Sequence, residues 1–279
     1  MNDKSTDISK YNNLVLAGTF ISIITFIGAL KELENINILQ KIQNYYSTSL
    51  SSILILLLVL DYTIDEILEI YKTIKWIELI NINNYDICEL IDNYCIYNGD
   101  IIEITIKYYI KYKGYNENIT LQELYNITGK SLNIVVANIS KFEEELINYK
   151  SHPSMEVFKA IEMGLTIPFI VKSVRYNNNI YICGTLNNNF PICYCNMDET
   201  IGLITKNIYY KNYQNIIEFI NLIFYAIIRT NYKTHKNILE LENKYDLEFN
   251  INMDEIYKGY SYGLKMMKEF IQNSNSNDN

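Results

Sequence analysis

Two consecutive stretches of the chain each read as strand, turn and helix, and that tandem limits the architectures open to it. Leu14–Leu16 is a short apolar run broken at Gly18. Ile23–Glu34 follows with apolar side chains at helical spacing and turns polar at Lys31, Glu32 and Glu34. Gln43–Tyr46 reads as a second strand, Ser47–Ser52 as a serine-rich turn, and Ile53–Leu60 (ILILLLVL) as an apolar helix. Strands that alternate with helices pair in parallel, because each returns to the sheet through a crossover. The fold class expected is therefore α/β, a mostly parallel central sheet with helices on both faces.

Further along, Thr63 with Asp65 and Glu66 marks a helix start that runs towards Trp76. Residues 81–115, rich in Tyr and Asn, read as mostly helical. Thr120, Glu123 and Gly129 read as cap, capping box and stop of another helix. Leu132–Asn138 (LNIVVAN) is a β-branched strand, and Phe142–Tyr149 a second candidate. Ser154–Gly164 reads as a helix, Ile167–Ile170 and Tyr181–Cys183 as strands, and Asn187–Pro191 as a loop. Residues 215–272 read as helical. One domain over 13–272 is expected, between a loose tail at 1–12 and an Asn/Ser-rich tail at 273–279.

Composition narrows the function classes. Lys+Arg is 24 against Asp+Glu 32, a net charge of -8, which leaves no basic footprint for nucleic acid. Five Cys without paired-ligand spacing point to free thiols in a reducing compartment, with no disulfide framework, no metal site and no cofactor. Leu14–Leu30 is uncharged over 17 residues, yet a bilayer span needs ~20, and two Gly, two Thr and a Ser dilute it. Its flank has two Lys offset by two Asp and makes no convincing signal peptide. An intracellular, cytoplasmic protein is expected, with membrane association left open.

Ser47-Thr48-Ser49-Leu50-Ser51 lies between strand and helix, where a nucleophile elbow has the pattern G-x-S-x-G. Three blocks in order resemble the patatin-like phospholipase family, most of all the versions in large DNA viruses. NLVLAGTFISIITFIGALKELE resembles its strand and oxyanion loop, NYYSTSLSSILILLLVLDYTIDEI its elbow, and KSHPSMEVFKAIEMGLTIPFIVKSVRYNNNIYICGTLNNNFPI its third block. The resemblance spans about 13–195 and implies a three-layer sandwich and serine–aspartate acyl transfer from lipids.

The departures fall on that chemistry. Where the family's oxyanion loop is glycine-rich, this chain keeps Gly18 and continues with Thr19 and Phe20. Ser49 holds the nucleophile position, but Ser47 and Ser51 replace the elbow glycines. Cys183, followed by Gly184 and Thr185, stands where the resemblance places the catalytic Asp. Loss of the activating group costs roughly 10⁴–10⁶ in rate, and loss of one oxyanion donor a further ~10²–10³. The resemblance therefore implies an inactive, lipid- or protein-binding relative. The alternatives are an active lipid acyl hydrolase using Ser49, with Asp198 the fallback carboxylate, and a structural protein anchored through 14–30. His152 and His235 read as surface or capping residues, Cys193 and Cys195 as buried thiols, and Glu143–Glu145 as a solvated edge.

Overall fold

A computed structural model describes residues 10–19, 22–73, 94–97, 99–206, 235–242 and 252–276, together with Phe219 and Ile223. Its elements in chain order are β1 (Asn13–Leu16), α1 (Ile23–Asn35), β2 (Asn44–Ser47), α2 (Ser51–Val59), α3 (Ile64–Thr73), β3 (Cys95–Tyr97), α4 (Asp100–Tyr112) and α5 (Leu121–Thr128). There follow β4 (Ser131–Asn138), β5 (Glu143–Ile147), α6 (Val157–Leu165), β6 (Phe169–Val171), β7 (Val174–Tyr176), β8 (Asn179–Cys183), β9 (Thr200–Lys206), β10 (Ile238–Glu242) and α7 (Met253–Ser276).

The main sheet runs β10-β9-β1-β2-β4-β8-β7, with β5 paired to β4. The first five of these strands are mutually parallel, and β5, β8 and β7 add in antiparallel fashion. β1 and β2 are direct neighbours, Leu16 opposite Ser47, so their two following turns emerge at one carboxyl edge. The four residues of β1 and the eight of β4 are buried throughout, as central parallel strands require. One sheet face, carrying Leu14, Leu16, Tyr45, Ile134 and Val136, shares a core with α1, α2, α6 and α7. The other, carrying Val15, Ala17, Ile204 and Ile238, is covered by Phe190 and Ile192; Phe219 and Ile223, from the connection between β9 and β10, are helical.

Residues 14–30 are not one span. The strand ends at Leu16 and the helix starts afresh at Ile23, because buried strand pairing on both edges of β1 outweighs helix continuation. No helix among the described residues is long and apolar enough to cross a membrane. Four strands went unread, one of them Val174–Tyr176, between two that were read. Cys95–Tyr97 lies inside the stretch read as helical, Thr200–Lys206 follows an irregular loop, and Ile238–Glu242 interrupts the expected helical C-terminal part. The last helix extends to Ser276, four residues into the expected tail. The expected helix end near Trp76, and residues 81–93, lie outside the described residues.

Helix α7 is held against α1 by two glycines that face each other's backbone. A methyl group at Gly28 would overlap the Tyr260 carbonyl, and one at Gly263 would overlap the Thr25 carbonyl. Backbones this close leave no room for any side chain, and overpacking of this kind costs about 1–3 kcal/mol. Gly28→Ala or Gly263→Ala should each lower stability to urea by about that amount. The double variant should cost less than the sum, since one separation of the helices admits both methyls.

Candidate functional site

The turn after β2 is where the sheet edge becomes chemical. Ser49 has φ 58°, a left-handed backbone that non-glycine residues seldom adopt. Its neighbours Ser47, Thr48, Ser51 and Ser52 are fully buried, while Ser49 is only half-buried. A strand that enters a tight left-handed turn and leaves as a helix presents the middle residue outward, the geometry of a nucleophile elbow.

The two serines at the elbow's glycine positions sit there without left-handed backbone. Neither Ser47 nor Ser51 has positive φ. Each is absorbed by a hydrogen bond instead. The Ser51 hydroxyl donates to the Ala17 carbonyl at 2.7 Å, and the Ser47 hydroxyl donates to Ser52 Oγ at 3.2 Å. Gly164 on α6 makes room for this second pair, since a methyl there would lie 3.0 Å from Ser52 Oγ.

Cys183, at the end of β8, is buried. Its thiol lies 3.0 Å from Thr185 Oγ1, and its N–H donates to the Thr166 carbonyl at 2.8 Å. Strand register brings it towards the elbow. β5 occupies one edge of β4 from Ile134 to Asn138, so β2 and β8 share the other edge end to end. Ser47 pairs with Ile134 and Cys183 with Val136, two residues or ~7 Å apart along that edge. The carbonyl between them, Val135, accepts from Thr48 Oγ1 at 3.4 Å, and a methyl at Gly184 would come within 2.5 Å of the same atom.

Gly18 follows β1 at this edge and is required for space rather than for φ. A methyl there would overlap Asn189 Oδ1 and lie 2.9 Å from Thr48 Cγ2 and 3.1 Å from Thr185 Oγ1. The Gly18 N–H donates to the Asn189 carbonyl at 2.8 Å, so it is not free to face an oxyanion. Thr19 does not have positive φ, and Phe20 lies outside the described residues. Sequence reading missed Thr48 and Asn189. Among the described residues, Asn189 Oδ1 is buried without a hydrogen-bond partner, beside the elbow.

No described carboxylate or imidazole bonds the Ser49 hydroxyl. Asp198 precedes β9, opposite the start of β1, and is therefore at the amino edge, far from the elbow. His235 precedes β10 at the same amino edge. Glu144 and Glu145 are not a solvated rim. Glu145 accepts from Asn138 Nδ2 at 2.6 Å and from the Tyr181 hydroxyl at 3.2 Å, and its Oε2 is 3.9 Å from His152 Nε2. Burial, with Glu145 alongside, pushes the Tyr181 phenol up to about 12, and burial pushes His152 down against the pull of Glu145. Glu144 accepts from the Tyr194 hydroxyl and from Asn188 Nδ2, which anchors the loop after β8. Of the thiols, Cys193 is exposed, contrary to the buried reading, and Cys195 is half-buried against Tyr46 and Thr200. Cys88 lies outside the described residues. Among the described residues no group of His, Cys, Asp and Glu is disposed to hold a metal.

Comparisons with known proteins agree with this geometry. The sequence profile of the Patatin-like phospholipase family matches residues 14–194. The chain is 32% identical over 194 residues to "Probable lipid hydrolase 463L" of Invertebrate iridescent virus 6, covering 65% of this chain and 62% of that protein's length. It is 29% identical over 207 residues to an uncharacterized protein of Acanthamoeba polyphaga mimivirus, covering 73% of this chain and 68% of the relative. Among solved structures, VipD from Legionella pneumophila superposes with TM-score 0.62 at 12% identity, over 95% of this chain and 67% of VipD. ExoU in its complex with SpcU, from the type III secretion system of Pseudomonas aeruginosa, gives 0.55 at 11%, over 95% and 52%.

Two outcomes follow for the site. Ser51→Ala should cost about 1–2 kcal/mol in thermal or urea unfolding, because it leaves the buried Ala17 carbonyl unpaired. Burial pushes the Cys195 thiol up to about 12, against ~8.5 for a free thiol. At pH 8.5 its thiolate fraction should be about a thousandfold below that of a free thiol. Iodoacetamide should therefore label Cys193 well before Cys195, as read by peptide mass. With its elbow, its sheet and its matched profile in place, the chain belongs to the patatin-like phospholipase family.

Proposed function

We propose that the protein binds acyl lipids at the Ser49 edge without hydrolysing them. The observation that carries this reading is the Cys183 thiol, where the resemblance puts the dyad's carboxylate, turned to Thr185 while the Ser49 hydroxyl has no partner among the described residues. Acyl transfer by the family's dyad needs a carboxylate to take the serine proton, and here a thiol stands in that place. An oxyanion must also be met by free N–H groups, and that of Gly18 is engaged by Asn189. Binding needs less. The N-termini of α1 and α2 both open on this edge, neither closed by a side-chain cap, and the aligned peptide dipoles favour ester or phosphate oxygens there.

A second reading is an acyl hydrolase using Ser49. It is favoured by one observation, the left-handed turn kept at Ser49 with both neighbouring serines satisfied. Hydrolysis of a short nitrophenyl ester and of a phospholipid separates the two. Wild type should remain at background, Ser49→Ala should change nothing, and Cys183→Asp should recover little, because groups that act as a unit are not repaired singly. Turnover that disappears in Ser49→Ala, or labelling of Ser49 by a fluorophosphonate, would establish the hydrolase instead. Lipid binding is then read directly, with phosphatidylcholine kept below its micelle concentration.

A further inference from the structure

Setting aside Asn and Asp, which reach left-handed backbone readily, the described non-glycine residues at positive φ are Ser49, Tyr94, Phe142 and Phe169. The three aromatics have φ of 57°, 58° and 65°, and they are 77%, 93% and 54% exposed. Bulky side chains in this region are genuine outliers, and here more than half of each residue is exposed.

Phe142 lies at the carboxyl edge of the main sheet, the edge that carries Ser49, and Tyr94 and Phe169 lie at a separate two-stranded sheet of β3 and β6 that is tied to this edge through Thr166 and Cys183. Phe142 is at the tip of the β4–β5 hairpin, beyond the end of β4. Phe169 opens β6, three residues after Thr166, whose carbonyl holds the Cys183 N–H. Tyr94 immediately precedes Cys95, which pairs with Phe169. Cations accompany them on a chain of net charge -8. Lys141 adjoins Phe142 and is 3.5 Å from Glu143, while Lys172 and Arg175 are exposed just beyond Phe169.

We propose that these aromatics are the contact points by which the molecule rests its Ser49 edge on a phospholipid bilayer bearing anionic headgroups. The inference builds on the lipid-binding reading above and names the surface that does it. Rings held outward on separate turns suit a soft planar surface, which needs no matching pocket. Aromatic side chains settle at the boundary between headgroups and acyl chains, and neighbouring Lys and Arg meet phosphates there. The cations lie where an acidic molecule would otherwise be repelled.

The test is sedimentation of the full chain with vesicles of phosphatidylcholine, with and without phosphatidylserine. Wild type should bind the mixed vesicles more tightly than the neutral ones. Phe142→Gly with Phe169→Gly should weaken binding about tenfold or more, from the loss of two inserted rings. Glycine accepts the left-handed backbone, so the double variant should melt no lower than wild type. Tyr94→Gly should act in the same sense, and Lys172→Glu with Arg175→Glu should remove the preference for phosphatidylserine. Equal binding by wild type and the double glycine variant would overturn the proposal, as would weaker binding that tracks a lower melting temperature. Failure of wild type to bind any vesicle would also overturn it. If monomeric phosphatidylcholine still binds in that case, the lipid-binding reading survives and only the docking surface is wrong. Vesicle binding without monomer binding would have the opposite meaning.

Discussion

The hydrogen bond from the Ser51 hydroxyl to the Ala17 carbonyl ties together the two turns on which the site depends. Ala17 follows the last residue of β1, and Ser51 is the first residue of α2. A glycine at position 51 would leave the carbonyl to another donor. The serine supplies that donor and couples the end of one strand to the start of the neighbouring helix. Thr48 extends the same logic to β4 through the Val135 carbonyl. The carboxyl ends of β1 and β2 and the middle of β4 are thereby joined by side chains from a single turn. The left-handed backbone at Ser49 persists because the residues around it are held from both directions, as a strained residue requires.

Much of this was legible because the first half of the sheet is built locally. Leu14–Leu16 and LNIVVAN are continuous apolar runs, as strands buried on both faces must be, and Gly18 and the serine turn mark where each crossover begins. The strands towards the ends of the sheet were harder. β7 and β9 are bounded by loops without a helical period on either side, and β10 (ILELE) carries glutamates that read equally well as one face of a helix. Short apolar runs do not distinguish the two states by period. Only the register of β10 against β9 decides.

In the candidate site, the turn at Ser49 was legible and Asn189 beside it was opaque. A nucleophile position has a local signature, a small residue between strand and helix. Thr48 and Asn189 stand 141 positions apart in the sequence, and they meet only because β8 lies end to end with β2 along β4. No spacing rule reaches across such a junction. The acidic run Glu143–Glu145 misled for a related reason. Charge alone suggests solvent, but on β5 the side chains alternate, and the hydroxyls of Tyr181 and Tyr194 are brought to Glu145 and Glu144 by β8 and by the loop that follows it.

Cysteine at position 183 changes more than a proton acceptor. A carboxylate at that place would put a full negative charge near the N-termini of α1 and α2, whose peptide dipoles would then be spent on neutralising it. With a thiol bonded to Thr185, that field is left for whatever oxygen-rich group enters the edge. Catalysis requires interactions that strengthen in the transition state, whereas holding a ligand requires only ground-state complementarity. The two demands fall on different atoms here. On the binding reading proposed above, a thiol in place of a base weakens the first and leaves the second intact, so an elbow without a neighbouring carboxylate is as coherent for holding a ligand as one with it is for catalysis.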